Sequence, residues 1–178
     1  MSPIGIAHTL FGTLALLFGG IVILRPKGTK QHRKLGYTYV FCMLMLLGLS
    51  FLMYRFTGQF GHFGPFHILS IISLVTLANG WMVAFFRRPA HNWLQIHAWW
   101  MGWSYVGLWA ATATEIVVRL PFIQGAFMAM VAVLVTTVTV TALGSLLLLR
   151  YAKIPSESGS HDMTGTEQTP TPPSKASQ

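Results

Sequence analysis

Five long runs of apolar residues, separated by short polar or basic gaps, dominate the chain. Roughly 20 helical residues are enough to cross the apolar core of a bilayer, and each run reaches that length. The pattern predicts transmembrane helices near residues 3–24, 35–54, 65–86, 94–118 and 122–149. We therefore expect an all-α, polytopic membrane protein whose helical domain occupies residues 1–150.

The composition agrees with this expectation. Hydrophobic residues make up 53% of the chain and charged residues only 9%, which is too little charge for the surface of a soluble domain. The segment 151–178 is instead rich in Ser, Thr, Pro and Gly, a composition that cannot bury an apolar core. We expect it to be a disordered cytoplasmic tail.

Basic residues are concentrated in alternate gaps between the apolar runs. The net charge of +8 could suggest a nucleic-acid partner, but this distribution is typical of a membrane protein oriented by its cytoplasmic loops. The gaps after the first and third runs and the flank after the fifth contain Arg25, Lys27, Lys30, Arg33, Lys34, Arg87, Arg88, Arg150 and Lys153. We expect the plasma (inner) membrane, an outside N-terminus, a cytoplasmic C-terminus, and the lipid bilayer rather than nucleic acid as partner.

Similar segments open alternate helices. The second predicted helix starts with QHRKLGYTYV and the fourth with QIHAWWMGWSYV, while the first and third open with IAHTLFG and PFHILS. We interpret this as one helical hairpin used twice, which predicts a four-helix core built from two repeated hairpins plus one extra helix. Chance similarity over such short segments is the alternative.

Four histidines occupy related positions in this repeat. His8 and His67 begin the helices that start outside, and His32 and His97 begin those that start in the cytoplasm. Imidazole is a common axial ligand of b-type haem between membrane helices, and two imidazoles saturate the iron. The pattern predicts two haem b groups, with iron held by His8 and His67 at the outer face and by His32 and His97 at the inner face. His62, in the outer loop, could join the outer pair.

Small residues share a helical face with His8. Gly12, Ala15 and Gly19 follow it at spacings that keep them on one side of the first helix. This stripe would leave room for a flat macrocycle, but it would serve equally well as a helix-packing surface.

Glu115 is the only acidic residue in the predicted helices. It shares a face of the fourth helix with His97 and follows it by about 27 Å at 1.5 Å per residue, which places it near the outer side. Buried acids in membranes are costly and mark either function or pairing with a base. We expect a partner among His8, His67, Arg55 and Arg119, in either a structural salt bridge or a catalytic proton acceptor.

Two segments resemble a known family, the domain of unknown function 2306 of prokaryotic membrane proteins. They are HRKLGYTYV and IHAWWMGWSYVGLWAATATEIVVR. The positions that match the family pattern are His8, His32, Arg33, Gly36, Tyr39, Val40, His97, Trp100, Met101, Ser104, Tyr105 and Arg119. The resemblance covers residues 8 to about 119 and implies no activity.

A weaker, architectural resemblance links the histidine pairs to di-haem electron carriers of the cytochrome b561 type. It implies transmembrane electron transfer from a quinol or small reductant, with quinone a further candidate cofactor. His32 departs from that pattern, because it lies at the predicted membrane edge and makes the inner haem the weaker prediction. A histidine-based metal or proton transporter and a non-catalytic membrane subunit are the alternatives.

Overall fold

Five α-helices account for almost all of the chain that the computed structural model describes, residues 2–52 and 65–152. They are α1 (Pro3–Leu24), α2 (Lys30–Leu52), α3 (Pro65–Phe86), α4 (Trp93–Val117) and α5 (Ala126–Ala152). Within the described ranges no β-strand is present. The predicted all-α fold is confirmed.

Four of these helices are long and apolar enough to cross a membrane. They are α1, α2, α5 over Ala126–Arg150, and α3 over His67–Phe86. The helix α4 is not among them, although it is 25 residues long. It carries Gln95, His97 and Glu115 as well as several small polar residues, and these lower its mean hydropathy. The chain therefore has four helices that meet the requirement by composition, with α4 packed against them.

The helix α2 begins at Lys30, five residues earlier than the apolar pattern predicts. The hydroxyl of Thr29 accepts a hydrogen bond from the backbone N–H of His32 at 3.1 Å, which is the role of a helix N-cap. The basic residues at this point hid the start of the helix, because helix formation depends on the cap and not on lipid contact. His32 consequently lies in the first turn of α2.

The first four helices form a ring of antiparallel neighbours. The closest pairs are α1 with α2 and α3 with α4, and the ring is completed by α2 against α3 and α1 against α4. The diagonal pairs are therefore α1 with α3 and α2 with α4, while α5 packs outside the ring against α4. We call the end where α1 and α3 begin the His8 end, and the end where α2 and α4 begin the His97 end.

Glycines allow the helices to approach closely at three places. A Cβ atom added to Gly19 of α1 would lie 2.6 Å from the ring of Tyr105 and 3.0 Å from that of Tyr39. Between α4 and α5, a Cβ on Gly144 would lie 2.5 Å from Val106, and one on Gly102 would meet the side chain of Leu148 at 2.6 Å. Small residues at such crossings are a principal means of packing helices in lipid.

The contact at Gly19 predicts a large effect for a small substitution. Gly19→Ala should lower the free energy of unfolding by about 1–3 kcal/mol, because the methyl group must displace two packed tyrosine rings. Gly36→Ala is the matched control, since nothing lies within 4 Å of its Cβ position. Unfolding of the purified protein in detergent would measure both variants. Equal behaviour of the two would contradict the close packing at Gly19.

Candidate functional site

The His8 end contains an ion-pair network that joins α1 to α4. Nε2 of His8 lies 3.0 Å from Oε1 of Glu115, and because a carboxylate only accepts, the imidazole N–H is the donor. Arg119, one turn further along α4, donates to Oε2 of Glu115 at 3.2 Å and also to its backbone carbonyl. Two of the four expected partners, His8 and Arg119, thus contact the carboxylate through its two separate oxygens.

The network extends from the interior of the bundle to its surface. His8 is buried, the Glu115 side chain is 31% exposed and the Arg119 side chain is 52% exposed. The second ring nitrogen of His8, Nδ1, is buried and has no hydrogen-bond partner. The carboxylate is therefore accessible from outside the bundle, whereas the imidazole is not.

His67 lies at the same end on α3, diagonally across the ring from α1. It is buried, and its ring centroid is 5.7 Å from that of Phe51 on α2. In the part of the chain that the structure describes, no three His, Cys, Asp or Glu side chains are grouped to hold a metal ion. The fold thus places His67 at the predicted end, but the hydrogen-bonding partner of His8 is Glu115.

At the His97 end, the backbone of α3 orients an imidazole of α4. Nδ1 of His97 lies 2.8 Å from the carbonyl oxygen of Gly80. A carbonyl only accepts, so Nδ1 carries the proton and the lone pair is on Nε2. Proteins commonly orient metal-binding histidines by this hydrogen bond.

His32 is the neighbour of His97 at this end. The two imidazoles are close enough to interact electrostatically, and the His32 ring also interacts with the backbone of Val22 on α1. Nδ1 of His32 is buried without a hydrogen-bond partner. The predicted inner pair therefore lies together, on the diagonal helices α2 and α4.

A buried polar layer separates the two ends, and the sequence reasoning did not assign it a role. The hydroxyls of Tyr39 on α2 and Ser104 on α4 are hydrogen-bonded at 3.0 Å, and Tyr105 donates to the carbonyl of Leu16 on α1 at 3.1 Å. These tyrosines are the shared Tyr of the repeated TYV and SYV segments. That repeat was the signal that could have identified them.

The small residues of α1 serve as a packing surface. Leu46 of α2 would be 3.4 Å from a Cβ on Gly12, Ala15 is fully buried in the apolar core, and the tyrosine rings cover Gly19. Of the two interpretations that the sequence left open for this stripe, the structure supports helix packing. Arg55, His62 and the tail after residue 152 lie outside the described residues.

Comparison with known proteins gives a family but no activity. The model of the family described as "Predicted membrane protein (DUF2306)" matches residues 5–149, so the chain belongs to this family. The resemblance seen in the sequence is confirmed, and the match also includes α5. No curated protein and no solved structure matches the chain.

The contact between His8 and Glu115 predicts a measurable coupling. Glu115→Leu leaves the buried Nε2–H of His8 without an acceptor and should lower the free energy of unfolding by about 1–3 kcal/mol. Glu115→Gln keeps an oxygen that can accept this hydrogen bond and should cost less. A double-mutant cycle with His8→Ala, measured by unfolding in detergent, gives the coupling energy. Strictly additive effects would mean that the two side chains do not interact.

Proposed function

We propose that this member of the DUF2306 family carries electrons in the plasma membrane with haem b, taking them from a quinol or another small reductant. The observation that supports this most is the orientation of His97, whose Nδ1–H is held by the Gly80 carbonyl so that Nε2 presents its lone pair beside His32. Neutral imidazole with a free Nε2 is the form that binds iron.

The proposal includes a membrane topology of five spans. The helix α4 is as long as its neighbours and packs against α1, α3 and α5, so its polar residues can face protein instead of lipid. The positive-inside rule puts the His97 end in the cytoplasm, because Lys30, Arg33 and Lys34 lie there, and the His8 end outside.

The residues of the cytoplasmic end fit a haem. His97 would provide one axial ligand through Nε2, and His32 provides a second imidazole whose Nδ1 is buried and unsatisfied by protein. An unsatisfied buried polar atom calls for an explanation, and a missing ligand is one. The haem would supply an iron that gains and loses one electron at a time.

The residues of the outer end do not fit a haem in the present arrangement. Nε2 of His8, the nitrogen expected to face the iron, donates instead to Glu115. An outer haem held by His8 and His67 stays a prediction, and so does electron transfer across the whole bilayer, which needs it.

Glu115 is the residue to which we assign proton handling. Its carboxylate is held by His8 and Arg119 and is partly exposed, so it can exchange a proton with water at the outer face. The alternative of a histidine-based metal transporter would require three or four ligands at one depth. No such group occurs within residues 2–52 and 65–152. A non-catalytic subunit is the remaining alternative.

The topology can be tested with reporter fusions. Alkaline phosphatase should be active when fused in the α4–α5 connection, residues 118–125, and inactive in the α3–α4 connection, residues 87–92, or after residue 152. Green fluorescent protein should show the reverse. The same result at both connections would mean that α4 does not cross the membrane, and an inverted pattern would reverse the orientation.

The haem proposal predicts a coloured protein. Material purified from haem-replete cells should show a Soret band and, on reduction, a sharp α band, with haem b in the pyridine extract. His97→Ala should lose the haem of the cytoplasmic end. His91→Ala is the matched control, because His91 is an exposed residue of the same connecting segment.

A colourless preparation from such cells, with no extractable haem, would contradict the proposal. Elemental analysis of the same sample would then distinguish the two alternatives. Zinc or copper at a stoichiometric level would favour metal handling, and its absence would favour the non-catalytic subunit.

A further inference from the structure

We infer that the chain holds a single haem, at the cytoplasmic end, and that His8 is the hydrogen-bond partner of Glu115 and not an iron ligand. This inference rests on the proposed function and narrows it. It concerns which ring nitrogen the protein engages at each end, a property that the placement of the histidines along the sequence cannot reveal.

The two imidazoles with resolved hydrogen bonds are held in opposite ways. His97 is held through Nδ1, the nitrogen next to the side-chain stem, so that its distal nitrogen Nε2 points away from the contact. His8 is held through Nε2, and the nitrogen that is left is Nδ1, which is buried next to its own helix. A macrocycle needs an accessible lone pair, and only the first arrangement offers one on the distal nitrogen.

Releasing His8 for iron would break a network and not a single contact. Glu115 is held on one oxygen by His8 and on the other by Arg119, and His8 itself is buried. Removing one partner of a buried charged pair leaves the other without compensation, which is strongly unfavourable. The same hydrogen bond also joins α1 to α4, so its loss would loosen the bundle at this end.

The space beside His8 is filled by protein. One turn along α1, the face at Gly12 is covered by Leu46, and the next turn carries the fully buried Ala15. Interiors are packed densely, so a flat group of the size of a haem would have to displace these side chains and the helices that carry them. Neither the imidazole nor its surroundings are arranged to receive one.

A functional consequence follows from the length of α4. Glu115 and His97 are separated by about 27 Å along this helix, so the carboxylate would be remote from a haem at the cytoplasmic end. Proton exchange at Glu115 and the electron step at the iron then take place at opposite ends of the bundle. The reductant would meet the haem from the cytoplasmic half of the membrane.

The test compares two conservative variants with the wild type. His8→Gln keeps an N–H that can donate to Glu115 but removes the imidazole, and His97→Gln makes the same change at the cytoplasmic end. Haem per polypeptide is measured by pyridine haemochrome against quantitative amino-acid analysis, and a dithionite titration counts the reduction steps. Thermal unfolding in detergent confirms that each variant is folded.

We expect about one haem per chain and a single one-electron step in the wild type. His8→Gln should retain the full haem content and an unchanged spectrum, whereas His97→Gln should lose nearly all haem. Two haems in the wild type, with one lost in folded His8→Gln, would overturn this inference and leave the proposed function intact. A wild type without haem would overturn the proposed function itself.

Discussion

The structure depends on a constraint set by lipid: apolar surface does not drive helices together where the solvent is also apolar. Association has to come from close packing and from hydrogen bonds between helices. The first four helices of this chain are joined by such bonds at three levels. These are His97 to Gly80, Tyr39 to Ser104 together with Tyr105 to Leu16, and His8 to Glu115. Together they fix how α1, α2, α3 and α4 are rotated and how deep each lies.

The same constraint links stability to chemistry at the two ends. A buried imidazole in a membrane must satisfy at least one nitrogen, and which one it satisfies decides what the other can do. His97 satisfies the proximal nitrogen on a backbone carbonyl, and His8 satisfies the distal nitrogen on a carboxylate. Two residues that look equivalent in the sequence repeat therefore have different chemistry. One has the geometry of a ligand, and the other is part of an ion-pair network that reaches the surface through Arg119.

Much of the fold could be predicted from the chain because its signals are local. Runs of about 20 apolar residues identified all five helices, and a lone acid in such a run indicated that Glu115 would contact a base. Prediction was less accurate where local and lipid-dependent signals diverged. The start of α2 is set by the hydroxyl of Thr29 within a basic segment, and hydropathy does not register a helix cap. The small-residue stripe of α1 was ambiguous, because only the neighbouring side chains show whether such a face is filled.

The sequence by itself determined that the chain is an all-helical membrane protein of the DUF2306 family and that its histidines lie at the two ends of the helices. These properties follow from composition, from periodicity and from position along a helix of fixed rise. The tertiary structure decided which side chains meet. Leu46 and the two tyrosines cover the small face of α1, and Arg119 and His8 share the carboxylate of Glu115. Such contacts depend on the rotation of each helix about its axis, which packing between helices sets and which no single helix encodes.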